Sequence, residues 1–171
     1  MGKLKVFDFA LIAIFAAIIF VLEYAMQILP NIQLTILLIV LFSKKLGFIR
    51  SSLIVLIYTV LDICIMGGFN FIYFPFFLCA WLLIPVSLNT FFKNVNNPFA
   101  LALLGVLYSF IFSWIMIIPG VIIMHVDFVS YLVADIVFEL ILAASSFLSI
   151  LWLYKPLSNL LEKLLIKDRT D

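Results

Sequence analysis

The sequence predicts an all-α integral membrane protein, a six-helix bundle with both termini on the same side of the membrane. The chain has 171 residues, of which 67% are hydrophobic and only 11% are charged. A water-soluble domain of this length needs a polar exterior, and this composition leaves too few polar residues to cover one. Apolar runs are separated by short segments that contain proline, glycine or lysine, which are the usual breaks between membrane spans.

Six apolar segments are predicted as spans of a single transmembrane domain. The first follows Lys3 and Lys5, as in a signal peptide, but it is too long for one and ends in no small-residue cleavage pattern. The fourth contains Pro75 and Pro85, so we expect it to bend. In residues 154–171, leucines are interspersed with charged side chains. This pattern predicts a C-terminal cytoplasmic amphipathic tail that lies at the membrane surface or against a partner. The predicted spans are residues 7–29, 33–42, 51–66, 71–88, 99–118 and 128–153.

The basic residues determine the predicted orientation. All ten lysines and arginines lie before span one, between spans two and three, between spans four and five, or after span six. With six spans, these four segments fall on the same side, and the opposite loops contain neither lysine nor arginine. The positive-inside rule then places both termini in the cytoplasm. Five or seven spans would distribute the same charges over both sides.

Apart from Asp8, which is interfacial at the cytoplasmic end of span one, four acidic residues lie inside the predicted spans, all in the outward-facing half. Asp135 and Glu139 are one helical turn apart on span six, and Tyr131 lies one turn before them. Glu23 on span one and Asp62 on span three are at comparable depth. A carboxyl at the centre of a membrane helix costs about 2.5–3.5 kcal/mol on insertion scales. The predicted interior contains no lysine or arginine that could pair with these acids.

These acids predict a polar cavity that opens to the outside. Unpaired carboxylates repel one another, so protonation, or a cationic or donor-rich ligand, is favoured. Aromatic side chains such as Tyr24 and Tyr73 would complete a mostly apolar small-molecule site. Each acid taken alone also fits a structural group bonded to a neighbouring helix. The predicted substrate-binding residues are Glu23, Gln33, Tyr58, Asp62, Asn70, Trp81, His125, Tyr131, Asp135 and Glu139.

Small residues mark a second face of span one. Ala10, Ala13 and Ala17 follow an i, i+3, i+7 spacing, which lets another helix approach closely. This helix would be either a partner's or another helix of the same bundle. A similar stripe runs from Gly105 to Ser113 on span five, where we expect packing inside the bundle.

The length, the six spans, the orientation, the alanine motif and the outward cavity together resemble the S-component of energy-coupling factor (ECF) vitamin transporters. Residues 30–35, Pro-Asn-Ile-Gln-Leu-Thr, with the short span two and the sequence Lys-Lys-Leu-Gly at 44–47, are also similar to that family. The resemblance covers the whole chain. It implies a substrate-binding subunit of the bacterial plasma membrane that takes up a water-soluble vitamin or vitamin precursor.

The resemblance also implies partners. Ala13 and Ala17, flanked by Ala10, would dock onto a transmembrane coupling subunit driven by two cytoplasmic ATPases, and the loops at 30–33, 67–70 and 120–127 would line or cover the substrate. This chain itself has no phosphate-binding loop ending in Gly-Lys-Ser/Thr, so ATP hydrolysis would belong to a partner.

The predicted cargo is a thiamine-like cation or an amine-bearing precursor, because no basic cluster in the cavity suits a strongly anionic solute such as folate. No cofactor, metal site or nucleic-acid partner is predicted. Cys64 and Cys79 do not have the spacing of metal or redox pairs.

Two alternatives to a transporter subunit stay open. A scaffold of a cell-envelope complex would resemble the small six-span protein of the rod-shape morphogenesis machinery, but a scaffold needs no outward polar cavity. An intramembrane hydrolase would pair Asp62 with Asp135 or Glu139, as in aspartic proteases of the membrane or lipoprotein signal peptidases. Their flanking motifs are absent and Glu23 would be unexplained, so we predict no enzyme activity. A proton-coupled carrier working alone is disfavoured by the small size of the chain.

Overall fold

The structure, a computed structural model, describes residues 6–66 and 71–170, with side chains except at residues 124 and 166–170. These ranges contain six α-helices and no strand, which confirms the predicted all-α class. The helices are α1 Val6–Met26, α2 Thr35–Leu46, α3 Phe48–Ile65, α4 Tyr73–Asn89, α5 Pro98–Met124 and α6 Phe128–Thr170.

Four of these helices, α1, α3, α5 and α6, are long and apolar enough to cross a membrane. They indicate a membrane protein. Helix α4 is also apolar but has only 17 residues. Helix α2 has 12 residues, or about 18 Å at 1.5 Å per residue, against a hydrocarbon core of about 30 Å.

Helix α2 is the centre of the bundle. It packs against α1, α3, α4, α5 and α6, and every residue from Thr35 to Ser43 is buried. A helix that is apolar all round is expected to be buried, and α2 follows that rule. The other helices surround it in the order α1, α3, α4, α5, α6, with the closest pairing between α5 and α6. In the described parts of the chain α1 and α6 do not pack against each other, so the ring is open between them.

Helix α5 extends beyond the predicted end at residue 118. It continues through Pro119 and Gly120 to Met124, so the predicted loop at 120–127 contains only three residues outside a helix, 125–127. Proline lacks the N–H that would bond the carbonyl of Ile115, but one lost bond does not end a helix whose neighbours enclose it. Pro119 and Gly120 are both buried, which supplies that enclosure.

The C-terminal tail is a direct continuation of α6 through Pro156. With 43 residues, the helix is about 65 Å long, roughly twice the thickness of the hydrocarbon core. Tyr154, Ser158 and Leu161 form its buried stripe, and Leu161 belongs to the hydrophobic core of the bundle. One face of the amphipathic tail therefore packs against the chain's own bundle, while the adjacent leucines 160 and 164 are exposed.

Lys44 connects the end of α2 to the segment between α4 and α5. Its Nζ donates hydrogen bonds to the backbone carbonyls of Phe92, at 2.9 Å, and Lys93, at 3.0 Å. Burial lowers the pKa of the Lys44 ammonium, and the two carbonyls supply acceptors in place of water.

Two ion pairs tie further segments to the same end. Lys45 pairs with Glu162 of α6, and Arg50 Nε lies 2.8 Å from Oδ1 of Asp8 near the start of α1. The start of α1, the α2–α3 junction, the α4–α5 segment and the C-terminal part of α6 thus meet at one end, here called the basic end. The segment at residues 27–34 lies at the opposite end, called the loop end.

Candidate functional site

The α1–α2 loop, residues 27–34, bridges the opening between α1 and α6. Asn31 Nδ2 donates to the carbonyl of Phe138, at 2.9 Å. The N–H of Gln33 donates to Ser145 Oγ at 3.1 Å, and the same hydroxyl donates to the carbonyl of Gln33 at 3.1 Å. Asn31 has a φ of 56°, a left-handed conformation that asparagine tolerates better than most residues. Three hydrogen bonds therefore hold the loop against α6.

A cleft of about 330 Å³ lies beneath this loop. Its volume is within the range of small-molecule sites, at the lower end. The lining combines one carboxylate, three amides, two thioethers and a phenyl ring, with neither lysine nor arginine among the described residues that form it. The lining residues are Glu23, Met26, Gln27, Leu29, Pro30, Asn31, Ile32, Gln33, Met66 and Phe112.

Glu23 is the charged residue of the cleft, and two hydroxyls hold its carboxylate. Oε2 accepts hydrogen bonds from the phenol of Tyr58 on α3 and from Thr35 Oγ1 at the start of α2, the latter at 3.2 Å. Thr35 Oγ1 also lies 3.3 Å from Gln33 Oε1 and, with one hydrogen, donates to one of these acceptors at a time. Asp62, one turn beyond Tyr58, is close enough for its charge to act on Glu23. Three helices thus converge on one carboxylate.

An aromatic cluster lies behind this carboxylate. Trp81 stacks on Phe112 with ring centroids 4.3 Å apart, and it meets Phe77 and Tyr58 edge-on at 5.9 and 6.2 Å. Offset stacking and edge-to-face contacts are the favoured geometries for such rings. Phe112 contacts both Trp81 and the cleft, so the cluster supports one cleft wall.

A second acid pair lies elsewhere, on α6. Glu139 is buried, Asp135 lies one turn earlier on the same helix, and the indole of Trp114 on α5 is beside the Glu139 carboxyl. Tyr131 interacts with Asp135 and packs against Gly120, where an added Cβ would meet the tyrosine ring at 2.8 Å. Among the described residues, neither acid of this pair lines the cleft.

The structure therefore separates the four predicted acids into two pairs, Glu23 with Asp62 and Asp135 with Glu139. Of the ten predicted side chains, Glu23 and Gln33 line the cleft, and Tyr58 and Trp81 lie directly behind it. His125 is exposed and left-handed at the end of α5, with a φ of 54°. Asn70 lies outside the described residues, as do Lys3 and Lys5. The assignment of all ten to a substrate site stays a prediction.

Several residues of the cleft were missing from the predicted set. Thr35, which does not line the cleft itself, was also missing and is the most important, because it bonds Glu23 directly. The sequence does contain a signal for Thr35: it is a hydroxyl residue at the first position of an apolar helix. A buried hydroxyl needs a hydrogen-bond partner. The sequence around Phe112 and Met66 does not indicate a binding site. An apolar side chain on a membrane helix can face lipid, the protein core or a ligand without an unsatisfied polar group.

The two small-residue stripes have different surroundings. Ala10, Ala13 and Ala17 are all exposed, so packing inside the bundle does not explain this stripe. By contrast, Ser109 on α5 is buried and its Oγ lies 2.9 Å from Ser146 Oγ on α6. An added Cβ at Gly105 would lie 2.5 Å from Ile150 Cδ1. The predicted packing role of the span-five stripe is confirmed.

Replacing Tyr58 by Phe is expected to lower the free energy of unfolding by about 1–3 kcal/mol, because a buried carboxylate loses a donor while the ring is kept. Equilibrium unfolding in mixed detergent and SDS micelles, followed by circular dichroism, measures this. Tyr24→Phe is the matched control, since Tyr24 lies on α1 next to Glu23 in sequence but is 52% exposed. Equal stability of the two variants would contradict a role for the phenol in holding Glu23.

Within the described residues, no group of three or more His, Cys, Asp or Glu side chains is arranged to hold a metal ion. Comparisons with family models, with curated proteins and with solved structures each gave no match, so the geometry of the cleft is the basis for a functional proposal.

Proposed function

We propose that this chain is the substrate-binding subunit of a membrane uptake system, and that it binds a small cationic or amine-bearing solute, such as a vitamin or vitamin precursor, in the cleft. The observation that carries the proposal is a cleft of about 330 Å³ whose carboxylate, Glu23, has hydroxyl partners and no basic residue among those that line it. A cationic ligand would supply the missing positive charge.

The rest of the cleft lining suits such a ligand. The amides of Gln27, Asn31 and Gln33 offer donors and acceptors that orient a polar group. Phe112 also lines the cleft, and a cation that lies over the face of an aromatic ring gains about 0.5–2 kcal/mol. The combination of one charge, a few directed polar groups and apolar walls is typical of small-molecule sites.

In this proposal the chain crosses a bacterial plasma membrane six times, with the basic end in the cytoplasm and the loop end outside. Contacts that gather Lys44, Lys45 and Arg50 at one end support that orientation through the positive-inside rule. The cleft then faces the outside, where a nutrient would be captured. Because this chain has no phosphate-binding loop, energy would come from separate ATPases.

A transmembrane coupling subunit would bind the face of α1 that carries Ala10, Ala13 and Ala17. The exposure of these three alanines supports this part of the proposal, because a close helix contact needs small residues that the bundle itself leaves uncovered. As in the resembling family, this coupling subunit and two ATPases would form the ECF module, and this chain would perform no catalysis.

Thermal unfolding of the detergent-purified protein with a panel of vitamins and precursors tests the proposal. A ligand that binds only the folded state adds RT ln(1+[L]/Kd), about 2.7 kcal/mol at a hundredfold excess over Kd. We expect one compound of the panel to raise the melting temperature of the wild type and of Glu162→Gln, but not of Glu23→Gln. Glu162 is the control because it lies at the basic end and is half-exposed.

The outcomes separate the alternatives. No shift with any compound, in a protein that unfolds cooperatively, would contradict a binding subunit and favour the scaffold. A shift that survives Glu23→Gln but is lost in Glu139→Gln would place the substrate at the second acid pair and not in the cleft.

A further inference from the structure

The second acid pair has no role in the proposed cleft, yet one of its members is among the most deeply buried polar residues of the chain. Glu139 is 3% exposed, whereas Asp135, one turn earlier on α6, is only partly buried. One of its carboxyl oxygens, Oε1, is buried and has no hydrogen-bond partner within the described residues. An ionised carboxylate with such an oxygen is costly to bury.

The surroundings of Glu139 do not supply a compensating positive charge. On α6 itself the nearest charged group is Asp135, which repels it. On α5 the interacting group is the indole of Trp114, a donor that carries no charge. Tyr131 of α6, which acts on Asp135, and Tyr73 of α4, which acts on Tyr131, are the other titratable groups of this region.

Helix α2, the other helix packed against α6, supplies no positive charge to Glu139 either. The charged residues of α2 are Lys44 and Lys45, both at the basic end, where Lys44 bonds two backbone carbonyls and Lys45 pairs with Glu162. Every charge that acts on Glu139 from a described residue is therefore negative. A cation beside Oε1 would satisfy both the unpartnered oxygen and the repulsion between the two acids.

The size and chemistry of the site restrict that cation. Two carboxyls and an indole are too few ligands for calcium, which takes six to eight oxygens, and the described residues offer neither histidine nor cysteine here for zinc. Acids inside membrane helices instead mark ion pathways and proton relays.

We propose that Asp135 and Glu139 form a binding site for an exchangeable monovalent cation, a proton or a sodium ion, located between α5 and α6 and separate from the cleft. Glu139 Oε1 binds the cation. Asp135 is less buried and nearer to the loop end, and it passes the cation between Glu139 and the solvent there. This proposal goes beyond the proposed uptake function, because it needs no ligand in the cleft.

Infrared difference spectroscopy of the reconstituted protein tests the site without any transport assay. A step to acidic pH is expected to produce C=O bands of protonated carboxyls, and the band that is lost in Glu139→Gln, here called the Glu139 band, is the one that tests the site. Glu162→Gln is the control and is expected to keep it. A second step, from potassium to sodium at constant pH, distinguishes the ions: sodium removes the Glu139 band if it displaces the proton, and leaves it unchanged if the site binds protons alone.

A second variant keeps the test decisive if Glu139→Gln does not fold. Asp135→Asn removes the negative charge nearest to Glu139, so we expect the Glu139 band to persist with its pH midpoint moved to lower pH. The proposal is overturned if the wild type gives no band in either step, or if the bands are the same in every variant at the same midpoints. A Glu139 band present at all pH values would also overturn it, because it would indicate a permanently protonated structural acid.

Discussion

Trp81→Ala is expected to lower the free energy of unfolding by about 3–5 kcal/mol, the range for a large aromatic side chain removed from a well-packed core. The indole is 1% exposed and contacts the rings of Tyr58, Phe77 and Phe112. Its removal would leave a cavity between three aromatic side chains, on three different helices, that cannot easily collapse. Because Phe112 also lines the cleft, we expect weaker ligand binding in the same variant.

Two further variants test whether the loss of stability in Trp81→Ala comes from the lost ring packing. The indole Nε1 is buried without a hydrogen-bond partner among the described residues, so Trp81→Phe loses no bond and is expected to cost less than about 1.5 kcal/mol. Trp152→Ala, at a position that is 68% exposed, is expected to leave stability almost unchanged. Equilibrium unfolding followed by far-ultraviolet circular dichroism compares all three without depending on tryptophan fluorescence. If Trp81→Ala were no more destabilising than Trp152→Ala, the aromatic cluster would not be a stabilising core.

Gly105→Ala is expected to lower the free energy of unfolding by about 1–3 kcal/mol, because the added methyl overpacks the α5–α6 contact. The atom it would meet is Ile150 Cδ1, 2.5 Å from the ideal Cβ position. Ile150→Val removes this atom and alone is expected to cost about 0.5–1.5 kcal/mol. In the double variant the clash is absent, so the combined loss should be smaller than the sum of the two single losses.

Ile118→Val is the matched control for this cycle. Ile118 lies on α5 as well, but it is half-exposed, so its truncation is not expected to relieve Gly105→Ala. The same unfolding measurement serves all variants. Strict additivity between Gly105→Ala and Ile150→Val would mean that α5 and α6 can separate freely at this level, contrary to the close approach that the structure records.

Composition and charge spacing were sufficient to predict the helical membrane class, because lipid solvates apolar surface and each helix satisfies its own backbone. They were less informative about helix ends. Pro119 and Gly120 look like a terminator in isolation, yet α5 continues past them because both are enclosed by the fold. Pro156 also looks like a helix terminator in the sequence, yet α6 continues through it. Tertiary burial explains the first case, and it is not visible in local sequence; Pro156 by contrast is exposed.

For the candidate site, the sequence predicted how deep in the membrane each acidic residue lies, but not which acidic residues lie next to one another. Distance along a span gives the height of each acid, and that is how Glu23 and Asp62 were matched. Which acids meet depends on how the helices are ordered around α2 and how each is rotated. Glu23 reaches Tyr58 because α1 and α3 are neighbours, while Glu139 lies beside Trp114 of α5. No periodicity in a single chain encodes the order of helices around a centre.

The central position of α2 has a consequence for biogenesis. This helix is the second to be synthesised, but four of its five neighbours, α3, α4, α5 and α6, are made after it. At about 18 Å it is too short to cross the bilayer as an independent hydrophobic segment. We expect α2 to stay at the interface of the translocation machinery until the later helices have been synthesised. Membrane insertion and tertiary folding would then occur in the same step for this part of the chain. Ribosomal pausing or truncation before α6 would then leave the residues of α2 that are buried in the finished bundle without one of the helices that cover them.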